Sequence, residues 1–493
     1  MRKLTLILPL FKTRAVPRRR VPSGLLSLAA EVQAIKDVRV DVVDAESLGW
    51  DAADVVEYLV LSKPDAVGIS VCSPTFPSAL ELMKVIRTEM PEVLIVLGGK
   101  YVTHSWQSAL NAGANADAMV RGDGESAIAV LAQALAAGAN RMEIVSALAE
   151  LPNVWVPGKK APTLPHAFNL QTAQPWPLEV LAHNLDLYQG DRMLIEFSRG
   201  CPGRCSYCLA SRDRQQISFR PVAQVVETIA HFSAKGFSSF FFTDDDFAAS
   251  PSHLACLLEG IIERGLKIKF DANVRPDSLV RCEKIAPLLK RAGCRCLWLG
   301  IESGSPAILE TYRKGFETNV CERAVVTALI AADVVRTNWI IGAPLETRET
   351  VNASMDFASR LQQLGPHVPH ISFMVPYPGT PLCDEALALG LISPSHLAEL
   401  AESTHGEPVM PSQFLTKNEL KELFYEFHQR YFTPESLASL PPAVADEARL
   451  VLSSAGLTNK KLPLKYKNGD FRESCIHRIE QHGEDYSSIK TPN

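Results

Sequence analysis

The sequence predicts an α/β protein with two successive parallel sheets and a helical C-terminal region. Three observations predict it. Apolar strand-like runs alternate with amphipathic helix-like runs over residues 1–150, the alternation stops across 151–190, and six more strand–helix pairs follow over 191–385. Helical crossovers between consecutive strands make those strands parallel.

The first series opens on "KLTLILPL", then "LLSLAAEVQAIK", "VRVDVVDA", "DVVEYLVLSK" and "AVGISV". It continues through "PSALELMKVIRTEM", "LIVLGG", the polar helix near "SWQSALNAG", the short strand "DAMVRG" and the helix "SAIAVLAQALAAG". Five strands with their crossovers make a Rossmann-like domain. The basic, briefly apolar N-terminus resembles a signal peptide, but it lacks a small-residue cleavage site and reads as the first strand. Over 151–190, four prolines fall between Pro162 and Pro177 and periodicity disappears, so this stretch reads as a linker draped over the domain surface.

The second series runs through "MLIEFS", "SSFFFTDD", "IKFDANV", "CLWLGIE", "TNWIIGA" and "HISFMVP", separated by helices such as "VAQVVETIAHFSAKG" and "ERAVVTALIAADV". Six βα units match a partial (βα)6 barrel of the triosephosphate-isomerase type, whose chemistry sits at the C-terminal ends of the strands. Residues 386–493 form the C-terminal helical region, led by "KNELKELFYEFHQRYF" and ending in a polar tail. Tyr425 and Tyr431 on that helix are pocket candidates, although helical spacing also suits packing.

A chain of 493 residues that is 46% hydrophobic can bury large cores, and a net charge of −5 carries no global footprint for nucleic acid. No nucleic-acid partner is expected. No run of about 18 uncharged apolar residues occurs, so no membrane span is expected either. Of the 11 cysteines, Cys72, Cys256, Cys282, Cys294, Cys296, Cys321, Cys383 and Cys475 follow no disulfide framework. A reducing cytoplasm fits them.

The other three stand in "FSRGCPGRCSYCLA": Cys201, Cys205 and Cys208, spaced CxxxCxxC, directly after the first strand of the second series. At this cysteine content chance would give the pattern about 0.005 times per chain. Three thiolates on one loop can hold three irons of a cubane cluster and leave the fourth iron open. Gly200 and Gly203 let the backbone wrap closely, and Pro202 stiffens the turn. A disulfide loop and a zinc site are the other readings, but zinc favours four protein ligands in paired CxxC form, and no second pair follows.

With an aromatic residue, Tyr207, directly before the third cysteine, the chain resembles the radical S-adenosylmethionine (SAM) enzymes. The resemblance implies a 4Fe-4S cluster whose open iron chelates SAM. Reductive cleavage then yields methionine and a 5′-deoxyadenosyl radical that abstracts a hydrogen atom. "FFTDDDF" after the second barrel strand resembles the version of the SAM-amine motif in the cobalamin-dependent branch, with Asp244 or Asp245 accepting from the ammonium. "LGIESGS" after the fourth strand likewise places Glu302 and Ser303 near the ribose or methionine portion; Glu302 also reads as an electrostatic helix start. The glycines and prolines of "IIGAPLET" and "PYPGTPL" shape loops.

A Rossmann-like domain ahead of such a barrel resembles the cobalamin-binding module of that branch. The resemblance rests on "ISVCSPT", "VLGGK" and "VRGDGES", which follow the third, fourth and fifth strands. It implies that Gly98 and Gly99 admit the nucleotide tail, and that Ser70, Ser73 and the amides of Gly122, Gly124 and Glu125 meet the corrin. The DxHxxG motif is absent, so no axial histidine is expected. His104 does not match the position of that histidine, and a surface or helix-start role suits it better. No GxGxxG follows the first strand, which weakens a nicotinamide-dinucleotide role, and a response-regulator-like module is the remaining alternative. Arg14, Arg18, Arg19 and Arg20 could grip a substrate anion, though a solvated loop explains them as well.

The resemblance, over about residues 1–385, implies a cobalamin-dependent radical SAM methyltransferase acting on an unactivated carbon of a small-molecule intermediate. Methylcobalamin would supply the methyl group, an electron donor such as a flavodoxin the electrons, and the cobalt would face the barrel mouth across the substrate. A cyclase or rearrangement enzyme without methyl transfer, and a non-catalytic cobalamin or redox sensor, are the alternatives.

Overall fold

The computed structural model describes residues 1–11, 19–159, 162, 167–181, 183, 185–188, 192–210, 216–394 and 407–455. Arg14, Arg18 and the polar tail from residue 456 lie outside them. The described residues divide into two compact units, Met1–Phe168 with Ala173–Asp191, and Asn169–Thr172 with the residues from Arg192 to Ala455.

In the first unit, β1 (Arg2–Leu8), β2 (Val38–Asp44), β3 (Ala66–Ser70), β4 (Leu94–Gly98) and β5 (Ala118–Val120) are parallel, in the order β2-β1-β3-β4-β5. Consecutive residues such as Leu6 and Ile7, or Val42 and Val43, are all fully buried. Helices therefore cover both faces, which is why these strands read as continuous apolar runs. The parallel register, with Ser70 opposite Gly98, brings the C-terminal strand ends to one edge.

A sixth strand, β6 (Val154–Trp155), joins β5 antiparallel from within the stretch expected to be linker. Two residues are too few for a periodic signal. Of the described residues of that stretch, those from Ala173 to Tyr188 belong to the first unit. Gln174 N–H donates to Glu31, the Trp176 indole N–H to Ser27, and Leu181 bridges Val42 at the sheet edge. Tyr188 donates to buried Asp44 at 2.9 Å, and its hydroxyl also meets His183 Nε2 at 2.6 Å. Burial pushes Asp44 up to about 6, against the hydrogen bonds from Ser47 and Tyr188.

In the second unit, β7 (Met193–Ile195) begins a parallel sheet. It continues through β10 (Ser239–Phe242), β11 (Lys269–Val274), β12 (Cys294–Glu302), β13 (Val334–Ile341) and β14 (Val368–Phe373), in the order β14-β13-β12-β11-β10-β7. All six expected strands are present. Helices such as Val222–Ala234, Pro251–Glu263, Thr318–Ala331 and Arg348–Gln362 make the crossovers. Between β7 and β10, the two-residue strands β8 (Ser198–Arg199) and β9 (Ser218–Phe219) pair antiparallel.

The C-terminal helices cover this unit. Helix Lys417–Tyr431 stacks Phe424 on Phe373 at 4.8 Å and sets Phe427 beside Trp339 at 6.0 Å. Tyr431 is a packing residue: it is buried, and its hydroxyl bonds Met355 O and Ser359. Tyr425 is 40% exposed. Helix Pro442–Ser454 packs on Val334 and Val368, the first residues of β13 and β14, and so caps the N-terminal end of the sheet. From it Glu447 reaches Arg295 at 3.2 Å, Arg336 at 3.4 Å and Arg192 at 4.0 Å; Arg192 and Arg295 also grip Asp271 at 2.5 Å each.

Candidate active site

The cysteine loop leaves the sheet at the C-terminal end of β7. Its base is clasped by the β8–β9 pair and by Glu196, which binds Arg199 at 2.5 Å and Arg220 at 2.8 Å. Burial alone would raise the Glu196 pKa, but the two guanidinium groups outweigh it and hold the carboxyl below its usual range. Gly200 turns the chain at φ +102°, a conformation that favours glycine. Ser206 then pins the loop to helix Pro306–Thr311, its N–H donating to Tyr312 O at 2.9 Å and its hydroxyl to Thr311 O at 2.7 Å.

Cys205 is buried, Cys201 and Cys208 are half-buried, and none of the three is in a disulfide. Cys201 Sγ accepts from Gly203 N–H at 3.4 Å, and Cys205 Sγ accepts from Arg275 Nη1 at 3.3 Å. Such donors stabilise thiolate, the form that binds iron. Burial pushes the Cys201 thiol up to about 12, with Asp246 adding to it. Iron binding therefore displaces its proton. Among the described residues no three His, Cys, Asp or Glu side chains converge as ligands of a single ion. A cubane asks for one thiolate per iron, and three thiols on one glycine-bearing loop suit that donor set.

Beside the loop lies a buried polar network that the sequence reading contained only in part. The Tyr207 hydroxyl donates to Glu302 Oε1 at 3.1 Å, and Lys314 Nζ reaches the same oxygen at 3.3 Å. Glu302 ends β12 after a register shift and holds φ +68°, a strained value for a non-glycine residue. A side chain at Gly300 would fall 2.5 Å from Glu302 Oε1, so the glycine leaves room for the carboxylate. Tyr207 packs edge-on against Tyr312 at 5.1 Å. Burial and then Glu302 raise its pKa well above the ordinary range. Lys314 is 3% exposed; burial disfavours its charge, but Glu302 and Cys205 outweigh burial and raise its pKa.

Ser303 is fully buried, and its hydroxyl meets Ser354 Oγ at 3.0 Å and accepts from Ser305 N–H. It shapes the turn that carries Glu302. The missed members of the network are Arg275 and Lys314. Their only sequence signal is their place, just past the third strand in "ANVRPD" and in "YRKGF" before the fifth.

The three aspartates after β10 separate. Asp244 turns inward, accepting from Ser198 Oγ at 2.5 Å and Phe197 N–H at 3.2 Å, and burial pushes it up to about 7. Asp246 accepts from Arg275 N–H at 3.1 Å and Ser278 Oγ at 2.5 Å. Asp245 alone is exposed, anchored by Gly200 N–H at 3.2 Å beside the cysteine loop.

In the first unit, Ser70, Gly98 and the turn at Gly122 stand at the C-terminal strand edge, where doubly wound sheets bind ligands, and Ser73 lies in the short turn after β3. The glycines serve different ends. At Gly98 an added Cβ meets nothing within 4 Å; at Gly99, φ +97°, it would lie 2.5 Å from Val71 O and 2.6 Å from Val71 N. Gly99 thus serves the approach of two backbones. Gly124 faces Leu28 at 3.1 Å, Gly122 turns at φ +84°, and Glu125 is buried at a helix start. His104 is half-buried within helix Lys100–Asn111, which breaks at Ser105.

Residues 15–132 match the B12 binding domain, and residues 195–358 match the radical SAM superfamily. An uncharacterized methyltransferase of Pyrococcus horikoshii is 29% identical over 441 residues, covering 87% of this chain and 92% of its own. An anaerobic magnesium-protoporphyrin IX monomethyl ester cyclase of Cereibacter sphaeroides is 26% identical over 414 residues, 82% of this chain and 64% of its own. The solved structure of the radical SAM methyltransferase TsrM from Kitasatospora setae shares the fold, with a TM-score of 0.69 at 19% identity over 98% of this chain and 100% of its own. No helix of the described residues is long and apolar enough to cross a membrane. A cobalamin-binding domain and a radical SAM domain with its 4Fe-4S cluster and SAM are therefore joined in one chain, which belongs to the cobalamin-dependent radical SAM enzymes.

Proposed function

We propose that this enzyme methylates an unactivated carbon of a small-molecule biosynthetic intermediate. The observation that carries the reading is the union of both domains in a chain similar to an uncharacterized methyltransferase over 92% of that relative's length. When bound, the cluster and SAM supply a hydrogen-abstracting radical and cobalamin supplies a methyl group.

The chain's residues hold and orient these groups. Cys201, Cys205 and Cys208 take three irons, and Tyr207 walls the loop against Tyr312. Asp245 is the exposed carboxylate of its trio and accepts from the SAM ammonium; Asp244 and Asp246 brace the strand ends around it. Glu302, fixed by Tyr207 and Lys314, faces the ribose or methionine portion, and Ser303 acts through the turn beneath it. In the first unit, Ser70, Ser73 and the open face at Gly98 meet the corrin, with the amides of Gly122, Gly124 and Glu125, while Gly99 keeps β3 and β4 close. Electrons come from a donor such as a flavodoxin, in a reducing cytoplasm.

The similarity to an anaerobic cyclase favours a second reading, in which both cofactors serve ring closure without methyl transfer. Anaerobic turnover with methyl-deuterated SAM separates the two. Methylation predicts a product in which one labelled methyl replaces one hydrogen, with one deoxyadenosine, which carries off that hydrogen, released per product. An isomer or dehydrogenated product without label overturns methylation, and deoxyadenosine formed in step with product counts against the non-catalytic sensor.

A further inference from the structure

We propose that Arg275 is a positioning residue that tunes the iron–sulfur cluster, its guanidinium donating to the Cys205 thiolate and raising the cluster's reduction potential. The group is fixed on every side. Nη1 donates to Cys205 Sγ at 3.3 Å, Nη2 to Lys314 O at 2.8 Å and Nε to Asp277 at 3.0 Å, while Phe316 lies 5.5 Å below Cζ. The residue is 8% exposed. The cysteine loop is shaped for it: a Cβ at Gly203 would overlap Nη1 and lie 2.8 Å from Cζ. Gly203 is the position inside the CxxxCxxC loop where a side chain would displace the guanidinium.

The direction follows from charge. Reduction adds one negative charge to the cluster, and a hydrogen-bonded cation at a ligand sulfur stabilises the more negative state. Lys314, 3% exposed, adds a second buried cation whose field salt screens little. Asp277 meets Nε of the guanidinium and Glu302 meets Lys314, so both offset part of the effect, and Asp246, which accepts from the backbone N–H of Arg275, adds negative charge near Cys201. Nη1 keeps its contact with sulfur. A raised potential lets a weaker one-electron donor reduce the cluster.

The inference rests on the cluster assignment, which iron and acid-labile sulfide per chain check separately. Holoenzyme of the parent, Arg275→Met, Arg275→Lys and Gly203→Ala is reconstituted anaerobically and titrated with a mediated reductant, the reduced cluster being followed by electron paramagnetic resonance. The expected result is full iron in all four, with the midpoint shifted negative in Arg275→Met and Gly203→Ala and by less in Arg275→Lys. A full cluster with the parent's midpoint in Arg275→Met overturns the inference. Should Arg275→Met not retain iron, Gly203→Ala, which keeps the arginine, decides on the same readout. Should neither hold iron, the parent decides: arginine labelled with 15N at the guanidinium is expected to couple to the reduced cluster, and no coupling overturns the proposal. Iron missing from the parent itself fails the cluster assignment instead.

Discussion

The two parallel sheets bring their strand ends to a mouth in opposite ways. In the first unit the edge is made of Ser70, Gly98 and Gly122, small residues that leave backbone and space. In the second, charge is packed inside: Glu302, Lys314, Arg275 and Asp246 are all buried within a few ångströms of the cysteine loop. On the proposed reading, a large corrin would be met by shape and by many weak contacts. A compact cluster and a zwitterion would be met by a few strong ones. Two sheets of different strand order thus differ also in what fills their edges.

Four experiments break or sharpen that contrast. Cys205→Ala has the largest effect: SAM cleavage falls to background and iron is lost, while corrin retention, measured by absorbance after desalting, stays at the parent's level. Joint loss of both would break the division of labour. The second concerns Asp244, raised to about 7 from 3.8 by burial. A raised carboxylate binds its proton more tightly folded than unfolded, so its stabilisation is complete below pH 3.8 and is lost as pH rises toward 7. Asp244→Asn should flatten denaturant stability over that window by up to about 4 kcal/mol, at about 1.4 kcal/mol per pH unit. An unchanged slope would place the titration elsewhere.

The third is Glu302→Gln, which leaves Lys314 buried beside a neutral partner. It is expected to destabilise the second unit by about 3 kcal/mol in denaturant titration, with the first unit's transition unmoved. Smallest is the glycine pair. Gly99→Ala, strained and in contact with Val71, should cost about 2 kcal/mol, whereas Gly98→Ala should cost less than about 0.5 kcal/mol. Corrin binding that weakens in Gly98→Ala without loss of stability places the cofactor over Gly98; unchanged binding removes it from there.

The sequence displayed the strands of both sheets because most hold a short apolar run bounded by glycine, proline or charge, as "LIVLGG" and "TNWIIGA" illustrate. It displayed the cysteine loop because spacing alone defines it. β6, β8 and β9 stayed hidden, since two residues cannot show a period. The aspartate trio was visible as a cluster, but which carboxylate faces out depends on partners 45–47 residues away, Phe197, Ser198 and Gly200. Arg275 and Lys314 were overlooked for a related reason: a lone cation reads as surface until its neighbours bury it.

The helix Pro442–Ser454 has a consequence for how the protein is made. Synthesis runs from the N-terminus, so Arg192, Arg295 and Arg336 leave the ribosome well before Glu447, the carboxylate that joins all three. For the duration of more than a hundred peptide bonds after Arg336, the floor of the second unit holds three cations against Asp271. The nascent chain therefore carries an electrostatic debt that the helix Pro442–Ser454 discharges, and a ribosome that stops short of residue 447 releases a chain with repelling guanidinium groups and without that carboxylate.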